Sequence, residues 1–353
     1  MTEVIAETRA AALFKTGEPL RIITLGIPRL KPGQALVDLA YSGLCHTQVL
    51  EVRGKRGPDA FLPHALGHEG SGMVTQVGEG VTKVRPGDRV VVSWIKGTGA
   101  DVASTIYSSA DGPINSGAVG TFMEQTVTCE NRVTPIPDSM PFREAGLLGC
   151  AVPTGMGAVL NSAQLKPGNS LAVFGMGGVG LSAVMGGQLA LAEPIIAIDI
   201  DQEKLALARK LGAAHVVNAR EVDPLTAVLD LTGGRGVDCA VEAVGKSETM
   251  ETAFRSVRNQ GGLCVLAGNL PHGGHMKIDP FDLIRGKRII GTWGGETSPD
   301  RDIPRYAELF CSGKLKLDLL VSKEYSLEEI NQAIDDLEQG TLGRPLIALG
   351  RRA

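Results

Sequence analysis

The stretch 173-VFGMGGVGLSAVMGG-187 decides the fold of the second half of the chain. It starts as a short apolar run of β type and continues into small and apolar residues that suit a helix. Gly175, Gly177 and Gly180 stand in the G-x-G-x-x-G register. In that register the first glycine permits a tight turn, the second lets a pyrophosphate approach the backbone, and the third lets helix and strand pack closely. The stretch therefore predicts a strand, a turn and a helix that together bind a dinucleotide.

Strand-like apolar runs follow this unit, and the segments between them have helix character. The runs are "PIIAID", "HVVN", "VDCAVEAVG", "GGLCVLAG" and "RIIGTW". The helical segment 201–212 places Leu205, Ala208 and Leu211 on one face and ends at a glycine, a natural C-terminal cap. Six strands alternating with helices predict a doubly wound parallel sheet over residues 152–292.

An acidic residue follows the glycines at the distance that a dinucleotide site requires. The strand "PIIAID" ends at Asp199, about 20 residues after the glycine-rich turn. A carboxylate there accepts hydrogen bonds from the adenosine ribose hydroxyls and repels a 2′-phosphate, which predicts NAD rather than NADP. The alternative is a glycine-rich turn that binds nothing, and the combination of glycines, strand, helix and acid disfavours it.

The remainder of the chain has a different texture. Residues 1–151 are rich in Gly, Val and turn signals, with β-type runs such as "QALVDLAYSG", "GMVTQV" and "DRVVVSW". This pattern predicts an irregular, mostly antiparallel β domain. Residues 293–353 contain two amphipathic helices, the second with a capping box of Ser326 and Glu329, and a tail "RPLIALG" that can rejoin the first domain as a strand.

Composition limits the classes of function. The 353 residues are 43% hydrophobic with a net charge of −4 and a pI near 5.9, which gives no basic surface for nucleic acid or an anionic membrane. The N-terminal residues do not resemble a signal peptide, and no run reaches the roughly 20 apolar residues of a membrane span. Six scattered cysteines without a C-x-x-C pair favour a reducing compartment. We expect a cytoplasmic protein with a small-molecule substrate.

The stretch "SGLCHTQVL" places Cys45 beside His46. Such a pair can be a thiol nucleophile with its base, a redox site, part of a metal site, or core filler. Further along, "LGHEGSGMVTQVGEGV" places His68 and Glu69 in a glycine-rich turn, and "GCAVPTG" contains Cys150.

With "GLCHT", "GHEGSG", "GCAVPTG" and "GMGGVG" in this order, the sequence resembles the zinc-containing alcohol dehydrogenases of the medium-chain dehydrogenase/reductase superfamily over essentially its whole length. The resemblance implies a GroES-like irregular β-barrel catalytic domain, 1–151 with 293–353, and a six-stranded Rossmann domain, 152–292. It also implies a catalytic zinc held by Cys45, His68 and Cys150. The glutamate that follows the histidine, Glu69, would lie near the metal and ligate it transiently.

The resemblance further implies the roles of residues around the metal and the cofactor. Thr47 would bond the substrate hydroxyl and relay its proton, His46 would contact the pyrophosphate, and Thr154 would pack on the nicotinamide. Lys204 would lie near the ribose and Arg344 on the phosphates, although both can also be solvated surface charges. The predicted cofactor contacts are His46, Thr154, Gly175, Gly177, Gly178, Val179, Gly180, Asp199, Lys204 and Arg344.

The sequence departs from the family where many members bind a second, structural zinc on four cysteines. The corresponding lobe, 95–121, contains no cysteine, and a structural zinc needs a closed shell of Cys or His. We therefore expect one zinc per chain and a lobe that packing and hydrogen bonds hold, or that is mobile. The cysteines outside the zinc site fall in or near apolar runs and are predicted core residues: Cys129, Cys239, Cys264 and Cys311.

Two departures concern the zinc surroundings. Gln48 stands where many relatives have an Asp that supports the zinc-bound histidine. An amide can accept the imidazole hydrogen bond but lacks the charge that raises ligand basicity. Leu50 stands where some relatives have a His that ends a proton relay, so the proton must leave by another route, such as water. Trp94, Leu50 and the 95–121 lobe are the expected determinants of pocket size.

The expected reaction is the reversible oxidation of an alcohol, with zinc stabilising the alkoxide and hydride passing to NAD⁺. By fold-level analogy a secondary or cyclic alcohol is favoured. Relatives are dimers or tetramers, usually joined through the dinucleotide domains, so a homo-oligomer is expected. Two alternatives remain: a zinc-free quinone or enone reductase that uses NADPH, and a dinucleotide-binding protein without catalytic activity. The first does not need the metal ligands and does not favour Asp199.

Overall fold

The computed structural model describes residues 3–340 and 343–350. Its internal contacts divide the chain into two compact units, residues 1–150 with 298–353 and residues 151–297. The borders expected from the sequence lay after residues 151 and 292. Within the described residues, no helix has both the length and the apolar character needed to cross a membrane.

The elements are numbered in chain order. The strands are β1 (Val4–Leu13), β2 (Arg21–Pro28), β3 (Gln34–Gly43), β4 (His64–Ala65), β5 (Glu69–Val77), β6 (Arg89–Ser93), β7 (Ile106–Tyr107), β8 (Ile114–Asn115), β9 (Gln125–Cys129), β10 (Val133–Pro135), β11 (Leu171–Phe174), β12 (Ile195–Asp199), β13 (His215–Asn218), β14 (Cys239–Glu242), β15 (Leu263–Leu266), β16 (Arg288–Gly291), β17 (Val321–Ser326) and β18 (Arg344–Ala348). The helices are α1 (His46–Val52), α2 (Phe142–Ala145), α3 (Ala151–Gly157), α4 (Gly178–Leu189), α5 (Gln202–Lys210), α6 (Pro224–Leu231), α7 (Ser247–Ser256), α8 (Pro280–Ile284), α9 (Pro299–Cys311) and α10 (Ile330–Glu338). Short 3-10 turns cover Glu130–Arg132, Gly294–Glu296, Leu317–Leu320 and Leu327–Glu329, and a π-helical segment covers Ala158–Ser162.

The first unit is the irregular β domain that the sequence predicted. One of its sheets has the strand order β2-β1-β4-β8-β7, and the other has the order β10-β6-β5-β3-β18-β17 with β9 also paired to β3. Most neighbours are antiparallel, while β17–β18 and β4–β8 are parallel. The tail strand β18 pairs with β3, so the prediction that the C-terminal segment rejoins the first domain is confirmed.

Helix α10 closes the core of the first unit. The predicted capping box forms, with the Ser326 N–H and Oγ donating to Glu329 Oε2 at 2.8 and 2.9 Å. These bonds satisfy groups that a helix start would otherwise leave unpaired. The apolar face of this amphipathic helix is buried in the core of the first unit, through Leu327, Ile330, Ile334 and Leu337.

The cysteine-free lobe is tied to the rest of the first unit by a carboxylate outside it. The side chain of Glu130, 4% exposed, accepts hydrogen bonds from the backbone N–H groups of Thr82 (2.6 Å), Lys83 (2.8 Å) and Ala100 (2.9 Å). Burial alone would raise the pKa of Glu130, but these hydrogen bonds outweigh it and the pKa is lowered. The 95–121 lobe is therefore held by an ionised carboxylate that bridges it to a neighbouring turn.

A second carboxylate acts on the same lobe from α9. Asp300 accepts hydrogen bonds from the N–H (2.6 Å) and Oγ1 (2.8 Å) of Thr98 and forms an ion pair with Lys83. Within the lobe, Lys96 pairs with Asp101 at 2.5 Å. Hydrogen bonds and ion pairs thus connect the lobe to its surroundings, the first of the two possibilities that the sequence left open.

Replacing Glu130 with alanine is expected to lower the free energy of local opening around the lobe by about 2–4 kcal/mol, because three N–H donors lose a charged acceptor. Amide hydrogen exchange at Thr82, Lys83 and Ala100 measures this change. The matched control is Asp111→Ala, which removes an exposed ion pair with Arg21 (3.1 Å) and should cost about 1 kcal/mol or less. We call the hydrogen bonds that Glu130 accepts from Thr82, Lys83 and Ala100 the Glu130 clamp. Equal exchange rates in the two variants would show that these bonds do not hold the lobe.

The second unit is the predicted doubly wound sheet, and its described strands run parallel in the order β13-β12-β11-β14-β15-β16. The order reverses at β11, so the loops after β11, β12, β14 and β15 meet at the carboxyl edge on both sides of this switch point. Helix α5 begins at an Asp201 cap that accepts from the Glu203 and Lys204 N–H groups. It is followed by Gly212 with φ of +112°, which confirms the predicted helix end.

Three of the four cysteines predicted to be core residues are buried, Cys129, Cys239 and Cys264. Burial raises the pKa of Cys239 to about 12 and also raises the pKa of Cys264, so both are unreactive thiols. The prediction for Cys311 was wrong, because it is the last residue of α9 and lies exposed on the solvent side. Apolar neighbours in the sequence do not determine whether a residue in the last turn of a helix faces the core or the solvent.

Candidate active site

Three predicted metal ligands meet in the first unit. Cys45 immediately precedes α1, His68 immediately precedes β5, and Cys150 closes the unit before α3. Their ligand atoms all lie within 4.8 Å of one another. A tetrahedral zinc with bonds of about 2.3 Å to sulfur and about 2.0–2.1 Å to nitrogen needs ligand atoms roughly 3.5–3.8 Å apart. We call these residues the three-ligand cluster, and its donor set and spacing fit zinc after a small closure.

The electrostatics of the cluster also suit a cation. The pKa of Cys45 lies well below its ordinary value, chiefly because the Cys150 thiol hydrogen-bonds to it; burial opposes this shift, and the nearby Arg344 guanidinium adds to it. A lowered pKa favours the thiolate, which is the form that binds metal. The Nε2 atom of His68 is buried and has no hydrogen-bond partner among the described residues. A buried imidazole nitrogen without a hydrogen-bond partner, next to a thiolate, can bind a metal ion.

Gln48 contacts the imidazole of His68 from α1, but with the opposite atom to the one expected. The amide oxygen accepts the backbone N–H of Cys45 at 3.1 Å, and the amide nitrogen faces His68 Nδ1. The orientation of an amide follows from its hydrogen bonds, and here the N-terminal cap of α1 takes the single oxygen. The expectation that this oxygen accepts the imidazole N–H is therefore corrected.

Replacing Gln48 with glutamate is expected to slow zinc loss to a chelator by about 10- to 100-fold, the usual range for a residue that supports a metal ligand. A histidine that binds metal through Nε2 keeps a proton on Nδ1, and that N–H needs an acceptor. Glutamate has the same length and offers one oxygen to Cys45 N–H and the other to His68. Glu51, whose Oε2 lies 3.5 Å from the amide nitrogen, is already paired with Arg56 at 2.8 Å.

The matched control is Gln48→Leu, which offers no acceptor to either N–H and should lose zinc faster than the wild type. Zinc release is followed with a chromogenic chelator, so the result does not depend on turnover. Identical release from the glutamate variant and the wild type would show that Gln48 does not limit zinc retention.

Glu69 and Arg344 form a fully buried ion pair beside the cluster. Glu69 is 0% exposed and Arg344 4%, and the guanidinium Nη2 contacts Glu69 Oε1. A side chain at Gly43 would clash with this carboxylate, since a Cβ there would lie 2.3 Å from Oε1. In this arrangement Arg344 is engaged by Glu69, and the metal-binding group found among the described residues does not include Glu69. Phosphate contact by Arg344 and transient ligation by Glu69 stay predictions.

Residues next to the cluster shape its surroundings. The Oγ1 of half-buried Thr47 lies 3.6 Å from Cys45 Sγ, and His46 is exposed at the first position of α1. The Trp94 ring stands edge-on to His68, with ring centroids 6.4 Å apart. Leu50 is 5% exposed, so it is a core residue of α1 rather than an open position.

Ser93 is a positioning residue that the sequence analysis missed. Its Oγ donates to the carbonyl of Gly149 at 2.6 Å and accepts the N–H of Ile95 at 3.0 Å. It thereby fixes the backbone next to Cys150 and on both sides of Trp94. The available signal was a single hydroxyl at the end of the apolar run "RVVVS".

The glycine-rich loop of the second unit has the geometry that its register predicted. Gly175 has φ of +91°, and a Cβ on Gly180 would lie 1.7 Å from Gly175 O, so both positions require glycine for the turn and for packing. A Cβ on Gly177 would meet no protein atom within 4 Å. The protein itself therefore does not need glycine at this position, and the open space above the N-terminus of α4 suits a phosphate group. Gly178 and Val179 begin the helix behind it.

Asp199 ties this loop to the next one. Its Oδ2 accepts the Met176 N–H at 2.5 Å, and its Oδ1 accepts the N–H groups of Ile200 (2.7 Å) and Asp201 (2.9 Å). The carboxylate is half-buried at the end of β12, and the neighbouring Ile200 is 49% exposed. These bonds use three of the about four acceptor sites of the carboxylate, and one site on Oδ2 remains for a further donor.

The other predicted cofactor residues of the second unit have distinct environments. Thr154 in α3 is 8% exposed, and its Oγ1 is buried without a hydrogen-bond partner among the described residues. Lys204 is half-buried in the first turn of α5, close in sequence to Asp199. Sequence analysis missed Glu242, a fully buried acid at the end of β14 whose only signal was a charge inside the run "VDCAVEAVG".

Comparisons with known proteins give a consistent result. Residues 31–138 match the family described as the alcohol dehydrogenase GroES-like domain, and residues 178–312 match the family described as zinc-binding dehydrogenase. Curated relatives include S-(hydroxymethyl)glutathione dehydrogenases from Synechocystis sp. and from Photobacterium damsela subsp. piscicida. Each is 33% identical, over 97% of this chain and 99% of the relative.

Solved structures of similar proteins cover almost the whole chain. A zinc-binding-domain alcohol dehydrogenase protein from Burkholderia ambifaria has a TM-score of 0.90 and 33% identity, over 98% of this chain and 100% of the other. Benzyl alcohol dehydrogenase from Acinetobacter calcoaceticus has a TM-score of 0.89 and 29% identity with the same coverage.

Proposed function

Because the chain belongs to the zinc-dependent alcohol dehydrogenases of the medium-chain dehydrogenase/reductase superfamily, with a GroES-like domain and a Rossmann domain, we propose that it catalyses the reversible oxidation of an alcohol with NAD⁺ as hydride acceptor. The observation that carries the proposal is the convergence of two thiols and one imidazole on a point that fits zinc. A zinc-free reductase of the same fold has no use for this cluster.

The residues around the cluster have separate roles in this reaction. A zinc ion there supplies a Lewis acid that makes a hydroxyl easier to deprotonate at neutral pH. Thr47, beside Cys45 in the structure, accepts the hydroxyl proton and passes it on, and His46 on the exposed side of α1 lies next to it in sequence. The hydrocarbon side chain of Leu50 can neither accept nor donate a proton, so the proton leaves through water or the nicotinamide ribose.

We propose an uncharged secondary or cyclic alcohol as the substrate class. The relatives named above act on S-(hydroxymethyl)glutathione, an anionic adduct, and one structural neighbour acts on benzyl alcohol. In this chain the basic residues directly after α1 are all neutralised: Arg53 and Lys55 pair with Glu338 at 2.7 and 3.1 Å, and Arg56 pairs with Glu51 at 2.8 Å. Pairing lowers the net positive charge that these side chains offer to a glutathione carboxylate, which is consistent with a neutral substrate. The preference for a secondary or cyclic alcohol rests on fold-level analogy alone.

We propose NAD as the cofactor and one zinc per chain. Asp199 supports NAD, since its half-buried carboxylate repels a 2′-phosphate. The Glu130 clamp supports a single zinc, since it performs the holding function that a structural metal performs elsewhere. We propose a cytoplasmic location, since six free cysteines suit a reducing compartment.

The test combines metal analysis with a panel of primary, secondary and cyclic alcohols and S-(hydroxymethyl)glutathione, each assayed with NAD⁺ and NADP⁺. The expected result is one zinc per chain and NAD⁺ reduction with a neutral secondary or cyclic alcohol. Turnover of enones or quinones with NADPH in the metal-free protein would support the reductase alternative instead. NAD⁺ binding without turnover of any alcohol or carbonyl would support the alternative of a non-catalytic protein.

We also propose that the chain forms a homo-oligomer through the second unit. Strand β16 is the last strand of the sheet, so one of its edges is unpaired among the described residues. Next to it stand exposed apolar side chains, Phe281 (51%), Ile284 (76%) and Trp293 (74%). An unpaired edge beside an apolar patch is a liability unless it is covered, and a second copy related by a two-fold axis presents the same edge and patch.

Sedimentation velocity of Ile284→Glu tests this interface. The variant is expected to shift the wild-type dimer or tetramer toward the monomer, because a charge replaces the most exposed of the three apolar side chains. The matched control is Leu191→Glu, at a residue of the second unit that is 68% exposed and distant in sequence from β16. A monomeric wild type, or an oligomer unaffected by either change, would refute the proposed surface.

A further inference from the structure

Glu242 is a buried acid that the proposed mechanism does not use. It is the last residue of β14 and is 0% exposed. Its Oε1 accepts three hydrogen bonds, from the N–H groups of Val244 (3.0 Å) and Gly245 (2.9 Å) and from Thr249 Oγ1 (2.7 Å). One carboxyl oxygen therefore joins residues 243–246, which we call the β14 loop, to Thr249 in the first turn of α7.

The same residue contacts the next loop at the carboxyl edge, residues 267–270, which we call the β15 loop. The backbone carbonyl of Glu242 accepts the N–H groups of Ala267 (2.8 Å) and Gly268 (2.9 Å). A Cβ on Gly268 would lie 2.5 Å from Glu242 Oε2 and 2.3 Å from Gly245 N. The β14 and β15 loops are thus packed against each other with Glu242 between them.

The second carboxyl oxygen of Glu242 has no evident role in stability. Oε2 is buried and has no hydrogen-bond partner among the described residues. Burial raises the pKa of Glu242 against the opposing hydrogen bonds from Thr249, Gly245 and Val244, so the acid is held at an energetic cost. A buried polar group with an unused atom requires an explanation other than core packing.

Sheet topology indicates which part of the dinucleotide meets these loops. The order of strands reverses at β11, and a dinucleotide lies across that switch point with one half on each side. Asp199 is the last residue of β12 and marks the adenosine side. The loops after β14 and β15 lie on the opposite side of β11 and therefore face the nicotinamide half.

We propose that Glu242 is a positioning residue for the nicotinamide half of the cofactor: its carboxyl group joins the β14 and β15 loops into one rigid wall against which that half binds. The inference rests on the proposed use of NAD. It assigns Glu242 no contact with the reacting atoms, and it predicts a loss confined to one half of the dinucleotide.

Calorimetric titration of Glu242→Ala with NAD⁺ and with AMP tests the assignment. The Kd for NAD⁺ is expected to rise at least about tenfold, because the loops must be ordered on binding, while the Kd for AMP stays within about twofold, because the adenosine side is untouched. In steady-state assays the KM for NAD⁺ should rise while the KM for the alcohol stays unchanged. Glu242→Gln should restore binding, since its amide oxygen can accept the same three hydrogen bonds.

The matched control is Glu248→Ala, which removes an exposed acid close in sequence to the β14 loop and should change neither Kd. Glu242→Asp keeps the acid but shortens its reach by one methylene. It should show the same selective loss, and it serves if the alanine variant does not fold. A parallel loss of NAD⁺ and AMP binding, or no loss at all, overturns the inference. A wild type that binds AMP but not NAD⁺ would instead refute the proposed function on which it rests.

Discussion

Replacing Cys45 with alanine is expected to abolish zinc binding and lower kcat/KM for the alcohol by about 10³-fold or more, while NAD⁺ affinity stays unchanged. The Lewis-acid contribution of a metal is worth several kcal/mol in the transition state, and each 1.36 kcal/mol is about tenfold in rate. The three-ligand cluster lies entirely in the first unit, whereas the glycine-rich loop and Asp199 lie in the second. Loss of metal therefore leaves the nucleotide-binding loops intact.

Zinc content by atomic emission, turnover with the best alcohol and NAD⁺ titration are measured on the same preparation. The matched control is Cys311→Ala, which removes the exposed thiol at the end of α9 and should leave all three properties at wild-type values. Turnover by the zinc-free Cys45→Ala protein would remove the metal from the mechanism and return the assignment to a zinc-free reductase. Loss of NAD⁺ binding together with zinc would indicate misfolding, and Cys45→Ser, a closer match in shape, would then decide.

The parts of the site that the sequence predicted are those encoded by short spacings. Gly175, Gly177 and Gly180 are defined by a register of six residues. The roles of Gly175 and Gly180 follow from sterics within the protein, and the role of Gly177 follows from the phosphate expected beside it. The ligands Cys45, His68 and Cys150 each lie in a short motif, and the motifs together identify the family. The alternation of strands and helices was sufficient for the parallel sheet, because the period of apolar residues is a local property.

The parts that sequence did not predict depend on contacts between distant segments. Glu69 and Arg344 are far apart in the chain but form a buried ion pair. Gln48 was expected to offer its oxygen to His68, and the structure gives that oxygen to Cys45 N–H instead. The orientation of the Gln48 amide depends on which of two N–H donors its oxygen reaches, and no sequence pattern indicates that.

The Glu130 clamp is another contact between distant segments that the sequence did not predict. The absence of cysteines from the 95–121 lobe was visible in the sequence, and from it we predicted that the lobe binds no structural zinc. The role of Glu130 in holding the lobe was not visible, because its hydrogen-bond partners are backbone N–H groups. Every residue except proline has a backbone N–H, so the sequence does not indicate which of them Glu130 binds. A sequence shows that the cysteine ligands of a metal site are missing more readily than it shows which hydrogen bonds hold the same segment.

The preference for NAD⁺ over NADP⁺ should depend strongly on Asp199. Asp199 is half-buried at the end of β12, and the exposed Ile200 follows it. A 2′-phosphate placed beside this carboxylate brings like charges together, which costs several kcal/mol. The double change Asp199→Asn and Ile200→Arg removes the repulsion and supplies a guanidinium for the phosphate.

The ratio of kcat/KM for NAD⁺ to that for NADP⁺ should fall by about 10²–10³-fold in this double variant, as expected for relief of a like-charge contact. Asparagine keeps one acceptor oxygen for the N–H groups of Ile200 and Asp201 but loses the bond to Met176 N–H, so the fall should combine better use of NADP⁺ with weaker use of NAD⁺. Glu203→Gln, an exposed acid at the start of α5, is the matched control for surface charge and should leave the ratio unchanged. A ratio that does not move in the double variant would place the 2′-hydroxyl elsewhere, and Asp199 would then serve only to tie the glycine-rich loop to the turn after β12.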